Sequence, residues 1–281
     1  MLIDLHLHST ASDGTDTPAE VIEVASAAGL DVVALTDHDS AAGWASASST
    51  ARRLGLTLIP GAEISCQVDG IGVHLLAYLY DAHDPALLEE TTQTRDDRLD
   101  RAQRMVHRMS GDLDITWADV LEHVGPAATV GRPHLADALV AMGVVESRDE
   151  AFATLLHVRS PYYLPHYSPD AARVVQLVVA AGGVPVMAHP RAGRRGRIVS
   201  SDDIADLAAV GLAGLEVDHR DNAEEDRREL RGLARELDLL TTGSSDYHGT
   251  GKQNKIGENT TAPDVLERII ELGTEARVVR P

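Results

Sequence analysis

The sequence predicts an α/β fold: a distorted seven-stranded β/α barrel with a helical subdomain inserted in it. Three observations predict this. Short apolar runs alternate with helix-period segments at both ends of the chain, the pattern of parallel-stranded α/β proteins. A charged, mostly helical stretch interrupts that rhythm. The apolar runs number seven, which suits a closed or nearly closed barrel better than an open doubly wound sheet. The barrel is expected over 1–84 and 166–281, and the helical insertion, covering the site, over 85–165.

The first strand is read at 2–6. Thr17-Pro18-Ala19-Glu20 then has the form of a capping box with proline in the first turn, and Gly29 stops that helix. A second buried strand follows at 32–35, a helix at 46–54, a third strand at 57–60 and a fourth at 72–80. Inside the insertion, helices are expected at 88–110, 117–123, 133–141 and 150–156. The alternation resumes with a helix at 169–181 closed by Gly182-Gly183. Strands follow at 184–188, 214–217 and 239–242, with helices at 202–209 and 224–237 between them and a last helix at 263–272. There is no internal repeat and no low-complexity tract.

The 281 residues are 43% hydrophobic but only 3% aromatic, so Ala, Val and Leu must fill the core. No apolar run approaches a membrane span, and Met1-Leu2-Ile3-Asp4-Leu5-His6 lacks the basic start of a signal peptide. Cys66, the single cysteine, cannot form an internal disulfide; a cytoplasmic enzyme is expected. The net charge of −19 argues against duplex DNA, whose binding rests on many Lys/Arg–phosphate contacts. It leaves open a small anionic substrate, because bound divalent metals reverse the local field.

His6-Leu7-His8 places two imidazoles on the same side of an extended strand, within reach of one metal. On its own that spacing says little, but similar groups recur in, or just after, other apolar β runs. They are Ser12-Asp13-Gly14, Thr36-Asp37-His38-Asp39, Gly61-Ala62-Glu63, His74, Ala188-His189-Pro190 and Ser245-Asp246-Tyr247-His248. In parallel barrels the carboxyl ends of the strands open on one face, so these residues are expected to converge. Six histidines and three acids in such places exceed what packing requires. His83, His107, His123, His157, His166 and His219 lack this context and are read as surface or capping residues.

These motifs, with His6-Leu7-His8-Ser9 and Ser245-Asp246-Tyr247-His248-Gly249, resemble the polymerase and histidinol phosphatase (PHP) family of metal-dependent phosphoesterases across essentially the whole chain. Ser245 and Tyr247 depart slightly from the common family residues without touching a ligand position. Gly131-Arg132-Pro133-His134 resembles the subgroup containing nucleoside 3′,5′-bisphosphate phosphatases and a 5′-to-3′ exoribonuclease. The resemblance implies one metal held by His6, His8, Glu63 and Asp246, a second by Glu63, His74 and His189, and a third by Asp13, His38 and His248. Mixed His/carboxylate ligation suits Mn²⁺, Fe²⁺ or Zn²⁺ better than Mg²⁺.

Arg132 and His134, at the start of a helix expected from Pro133, are suited to grip a phosphate and stabilise its transition state. Arg191 and Arg194, on the loop after His189-Pro190, are further substrate-binding candidates, and Asp37 and Asp39 could orient His38. The expected reaction removes the 3′-phosphate of a nucleoside 3′,5′-bisphosphate, with exonuclease action on the 5′ end of short RNA as an extension. Rival readings are histidinol phosphatase, a metal-dependent amidohydrolase and a non-catalytic metal-binding module. An amidohydrolase bridged by a carboxylated lysine is excluded because Lys252 and Lys255, the two lysines, fall outside the strands. The sequence carries no indication of oligomeric state.

Overall fold

The computed structural model describes residues 1–125, 128–193 and 196–281. Seven strands form one sheet in chain order: β1 (Ile3–Leu7), β2 (Val32–Leu35), β3 (Thr57–Val68), β4 (Ile71–Tyr78), β5 (Val184–Met187), β6 (Gly214–Asp218) and β7 (Leu240–Gly243). β1 to β3 pair in parallel, as do β5 to β7. Beyond the sheet's two ends, Leu7 bridges Tyr247, and the His8 N–H donates to the Tyr247 carbonyl at 2.9 Å. The sheet therefore curls into a nearly closed barrel.

β4 runs antiparallel to both neighbours, unlike an all-parallel barrel. Local chemistry causes the reversal. Asp69 and Gly70, with φ of 48° and 73°, are consecutive left-handed residues of the kind that make a tight hairpin turn. The hairpin keeps register from Gly61↔Tyr78 to Val68↔Ile71. β3 thus continues to Val68 instead of stopping at residue 60, and Glu63 lies inside it, not past its end. His74 reaches the same end of the barrel as the other motifs because β4, antiparallel to β3, begins where β3 finishes.

Helices α1 (Pro18–Ala27) and α2 (Trp44–Leu54) pack on β1 and β2, burying Val21, Ile22, Ala47 and Ala51 against Leu7, Val33 and Leu35. The Thr17–Glu20 capping box forms as predicted, with each side chain meeting the other's backbone N–H. Next come α3 (Pro85–Met109), α4 (Trp117–Leu121), α5 (Arg132–Ala141) and α6 (Arg148–Ala153). They share an apolar cluster, including Met105, Ile115, Leu135, Leu139 and Leu156, that draws only on residues from 102 to 164. α7 (Ala171–Ala180), α8 (Ser201–Ala209) and α9 (Glu224–Glu236) pack over β3 to β6, sharing a cluster with Ile64, Leu75, Met187 and Leu215, and α10 (Pro263–Leu272) adds Leu266 and Ile269 to the cluster formed by Ile3, Leu5, Ile59 and Val186. No described helix is long and apolar enough to cross a membrane.

Candidate metal centre

The nine predicted ligand positions converge, and all but the half-buried His74 are buried. Three groups bring one ligand-type atom from each member within 4.8 Å of one another: His6, His8, Glu63 and Asp246; His8, Asp13, His38 and His248; and His38, Glu63 and His74. Glu63 stands between them. Its Oε2 lies 3.2, 3.0 and 3.3 Å from His6, His8 and His38, and its Oε1 lies 2.7 and 3.0 Å from His74 and His189. His38 thus sits beside Glu63 and His74 as well as near Asp13.

Hydrogen bonds outside the cluster fix what its inner atoms offer. The Asp246 carbonyl can only accept, so His248 Nδ1 donates to it at 2.8 Å and leaves an Nε2 lone pair 3.2 Å from Asp13 Oδ1. Burial, with His8 and Lys252 adding to it, pushes His248 down to about 4, so the ring is neutral. Ser12 Oγ donates to Asp37 Oδ1 at 2.7 Å and accepts from His8 Nδ1 at 3.3 Å. His6 Nδ1 meets Glu216 Oε1 at 2.8 Å. Each arrangement turns Nε2 inward, toward carboxylate oxygens. Lone pairs facing lone pairs at about 3 Å match the edges of an octahedral coordination sphere with bonds of about 2.1 Å, and they fit divalent cations. Burial lowers His8, but Asp246 and Glu63 outweigh it and carry it to about 9, a sign of how strongly the carboxylates draw positive charge to this point.

The backbone is strained at the same place. His189 and Asp246 have φ of 33° and 54° just past β5 and β7, and Asp39 has 51°. For side chains larger than glycine such conformations cost about 1–3 kcal/mol each and persist where the surroundings impose them. Gly14 is required beside Asp13, because a Cβ there would lie 2.6 Å from the His8 carbonyl oxygen.

Two contributors escaped the sequence reading. Glu216, buried in β6, binds His6 Nδ1, accepts the His189 N–H at 2.8 Å and takes the Ser244 hydroxyl. It orients one predicted ligand and anchors the backbone of another. Burial would raise its carboxyl, yet His6 and His219 hold it down to about 2. His219 is not the surface or capping residue expected. It is fully buried, with Nε2 3.4 Å from Asp246 Oδ2 and its ring 5.1 Å from that of His189. The strand-end pattern that selected the other histidines applies equally to Val217-Asp218-His219.

Other expectations need correction. Asp37 and Asp39 do not orient the His38 ring: Asp37 binds Ser9 and Ser12, and Asp39 binds Ser65 and lies 3.3 Å from Arg98 Nε. Thr129 instead fixes the His38 carbonyl, at 2.7 Å. Arg191 is committed to the Val199 carbonyl, Ser201 and Glu229, which makes it a loop anchor with no fork left for substrate. Arg194 lies outside the described residues. Lys252 is off the strands, as expected, but its ammonium reaches Asp246 Oδ2 at 3.0 Å.

Helix α5 starts at Arg132, one residue earlier than predicted. The Gly131 N–H donates to His134 Nδ1 at 3.1 Å, so the neutral ring carries its proton on Nε2, as a donor. His134, His123, Thr10, Gly14, Thr15 and Arg148 line a pocket of about 400 Å³ beside the cluster. The Arg132 guanidinium lies over the Phe152 and Tyr163 rings, at 5.2 and 5.6 Å, and donates to the Leu156 carbonyl at 3.1 Å.

Residues 4–126 match the family model described as the PHP domain. The chain is 33% identical over 287 residues to a 3′,5′-nucleoside bisphosphate phosphatase of Chromobacterium violaceum, covering 99% of this chain and 98% of that protein. It is 32% identical to a 5′-3′ exoribonuclease of Haemophilus influenzae, covering 95% of this chain and 96% of the relative. A crystal structure from Bifidobacterium adolescentis, described as a metal-dependent phosphoesterase, superposes with a TM-score of 0.95 at 44% identity, covering 97% of this chain and 96% of the other. Buried imidazoles and carboxylates aimed at common points and likeness along the full length agree: the chain belongs to the PHP family of metal-dependent phosphoesterases.

Proposed function

We propose that the chain removes the 3′-phosphate of nucleoside 3′,5′-bisphosphates, giving a 5′-monophosphate and phosphate, and that it also degrades short RNA from the 5′ end. The observation that carries this reading is the junction of two chemistries: a histidine–carboxylate cluster on the barrel, and Arg132 with His134 at the first turn of α5. His6, His8, Glu63 and Asp246 would hold one divalent metal, and Glu63 with His74 and His189 a second. Asp13, His38 and His248 would hold a third. Mn²⁺, Fe²⁺ or Zn²⁺ suits the donor set. When bound, such ions supply an activated water and offset the charge that builds on the phosphoryl oxygens.

The chain's own groups do the rest. Glu216 and the Asp37–Ser12 pair hold His6 and His8 in the tautomers that face inward. His134 Nε2 offers a hydrogen bond to the phosphoryl group, and Arg132, held against the Phe152 and Tyr163 rings, grips a phosphate. The 400 Å³ pocket is of a size to take a nucleoside. Residues 85–165, proposed as a cap, would limit water and long duplexes.

Metal analysis joined to a phosphate-release screen tests this. The screen should include 3′,5′-bisphosphates, short oligonucleotides, histidinol phosphate and an amide substrate. Bound Mn, Fe or Zn and fastest release from the bisphosphate are expected. Preference for histidinol phosphate or the amide, or full activity after exhaustive chelation, would overturn the reading.

A further inference from the structure

Helix α3 turns an unusual stripe inward. Its buried positions include Thr94, Arg98, Arg101 and Met105, so two guanidinium groups sit where helical periodicity calls for apolar side chains. Arg101 is 3% exposed, and it makes no hydrogen bond or ion pair with any described residue. Arg98 donates to Ser65 Oγ, and its Nε lies 3.3 Å from Asp39 Oδ2. Arg132, from α5, is the third member. Burial pushes Arg101 down to about 9, and repulsion from Arg98 and Arg132 adds to the shift. His166, expected to be a surface or capping residue, is driven to about 3 by burial and by Arg98 and Arg101.

Among the described residues, Asp39 is the only carboxylate in ion-pair range of these three arginines. Asp97 is farther off, where its carboxylate accepts the Tyr167 N–H. A guanidinium stays charged at physiological pH, and burying one without a partner is strongly unfavourable. Three guanidinium groups and one aspartate leave about two positive charges, which matches a phosphate monoester dianion. The position suits such a group. Arg98 Nη1 lies 3.4 Å from where a Cβ on Gly131 would be, which sets it against the start of α5. Ser65, which Arg98 contacts, pairs in register with His74 and lies two residues from Glu63.

We infer that Arg98, Arg101 and Arg132 form a second anion subsite, bordering the metal cluster, that receives the phosphate that does not react. Naming the anion as a second phosphate of the substrate rests on the bisphosphate reading above; the anion subsite itself does not.

Arg101→Met tests both levels, because it removes the charge and keeps the length. On the metal-loaded protein, inorganic sulfate should raise the Tm of wild type, and the variant should lose most of that rise. The kcat/KM for a 3′,5′-bisphosphate should fall about tenfold further than that for p-nitrophenyl phosphate, with the loss mainly in KM. Arg101→Lys, which restores a charge, should recover part of both effects. If wild type does not turn over bisphosphates but sulfate stabilisation disappears in Arg101→Met, the subsite stands and the substrate reading falls. Equal sulfate-dependent shifts in wild type and Arg101→Met, or none in wild type, would overturn the subsite.

Discussion

The barrel mouth and the inner face of α3 are both buried and both densely charged, but with opposite signs and by different construction. At the mouth, carboxylates and imidazoles from many chain segments converge because strand ends and the hairpin face one way. On α3, arginines spaced three residues apart line one side of a single helix and are joined by Arg132 from α5. The mouth presents acceptors and calls for cations; the helix presents donors and calls for an anion. Divalent cations would satisfy the mouth and a phosphate the arginines, and Asp39 alone cannot neutralise the three guanidinium groups.

The comparison breaks most directly at the mouth. His8→Ala or Asp246→Ala should lower turnover by about 10³-fold or more, because each removes a donor from the centre of the cluster. Circular dichroism should be unchanged and metal content lower. Retained activity in either variant would show that the cluster does not do the chemistry.

Glu216→Gln probes the support behind the cluster. It keeps shape but removes the charge that His6 Nδ1 meets, and should cost about 10- to 100-fold in metal affinity or activity. A metal-binding titration distinguishes this from an effect on substrate.

On the cationic side, Arg132→Ala should raise KM for the bisphosphate about tenfold while changing kcat little. Wild-type behaviour on the bisphosphate would remove Arg132 from the phosphate site. The smallest effect is expected from Ser12→Ala, which cuts the hydroxyl between Asp37 and His8 and should lower kcat about 2- to 10-fold, the worth of one hydrogen bond.

Much of the cluster was legible because strand ends announce themselves: an apolar run followed by His, Asp or Glu predicts a side chain on the barrel rim. Glu216 was hidden because one acid inside an apolar strand looks like any other until its hydrogen bonds are seen. His219 was discounted although it follows the same rule. Arg98 and Arg101 were unreadable for another reason. Arginines on a charged helix ordinarily face solvent, and only packing against Ser65, Asp39 and α5 turns this stripe inward.

By itself, the sequence determined the alternation of strands and helices, the capped start of α1 and the residue types gathered for metal, because these follow from periodicity and local hydrogen bonding. Only the tertiary structure decided that β4 reverses, that Arg191 is an anchor, that His219 and Glu216 support the cluster and that arginines are buried beside it. Those outcomes depend on which surfaces meet across long stretches of chain, and spacing along one segment carries no record of what will pack against it.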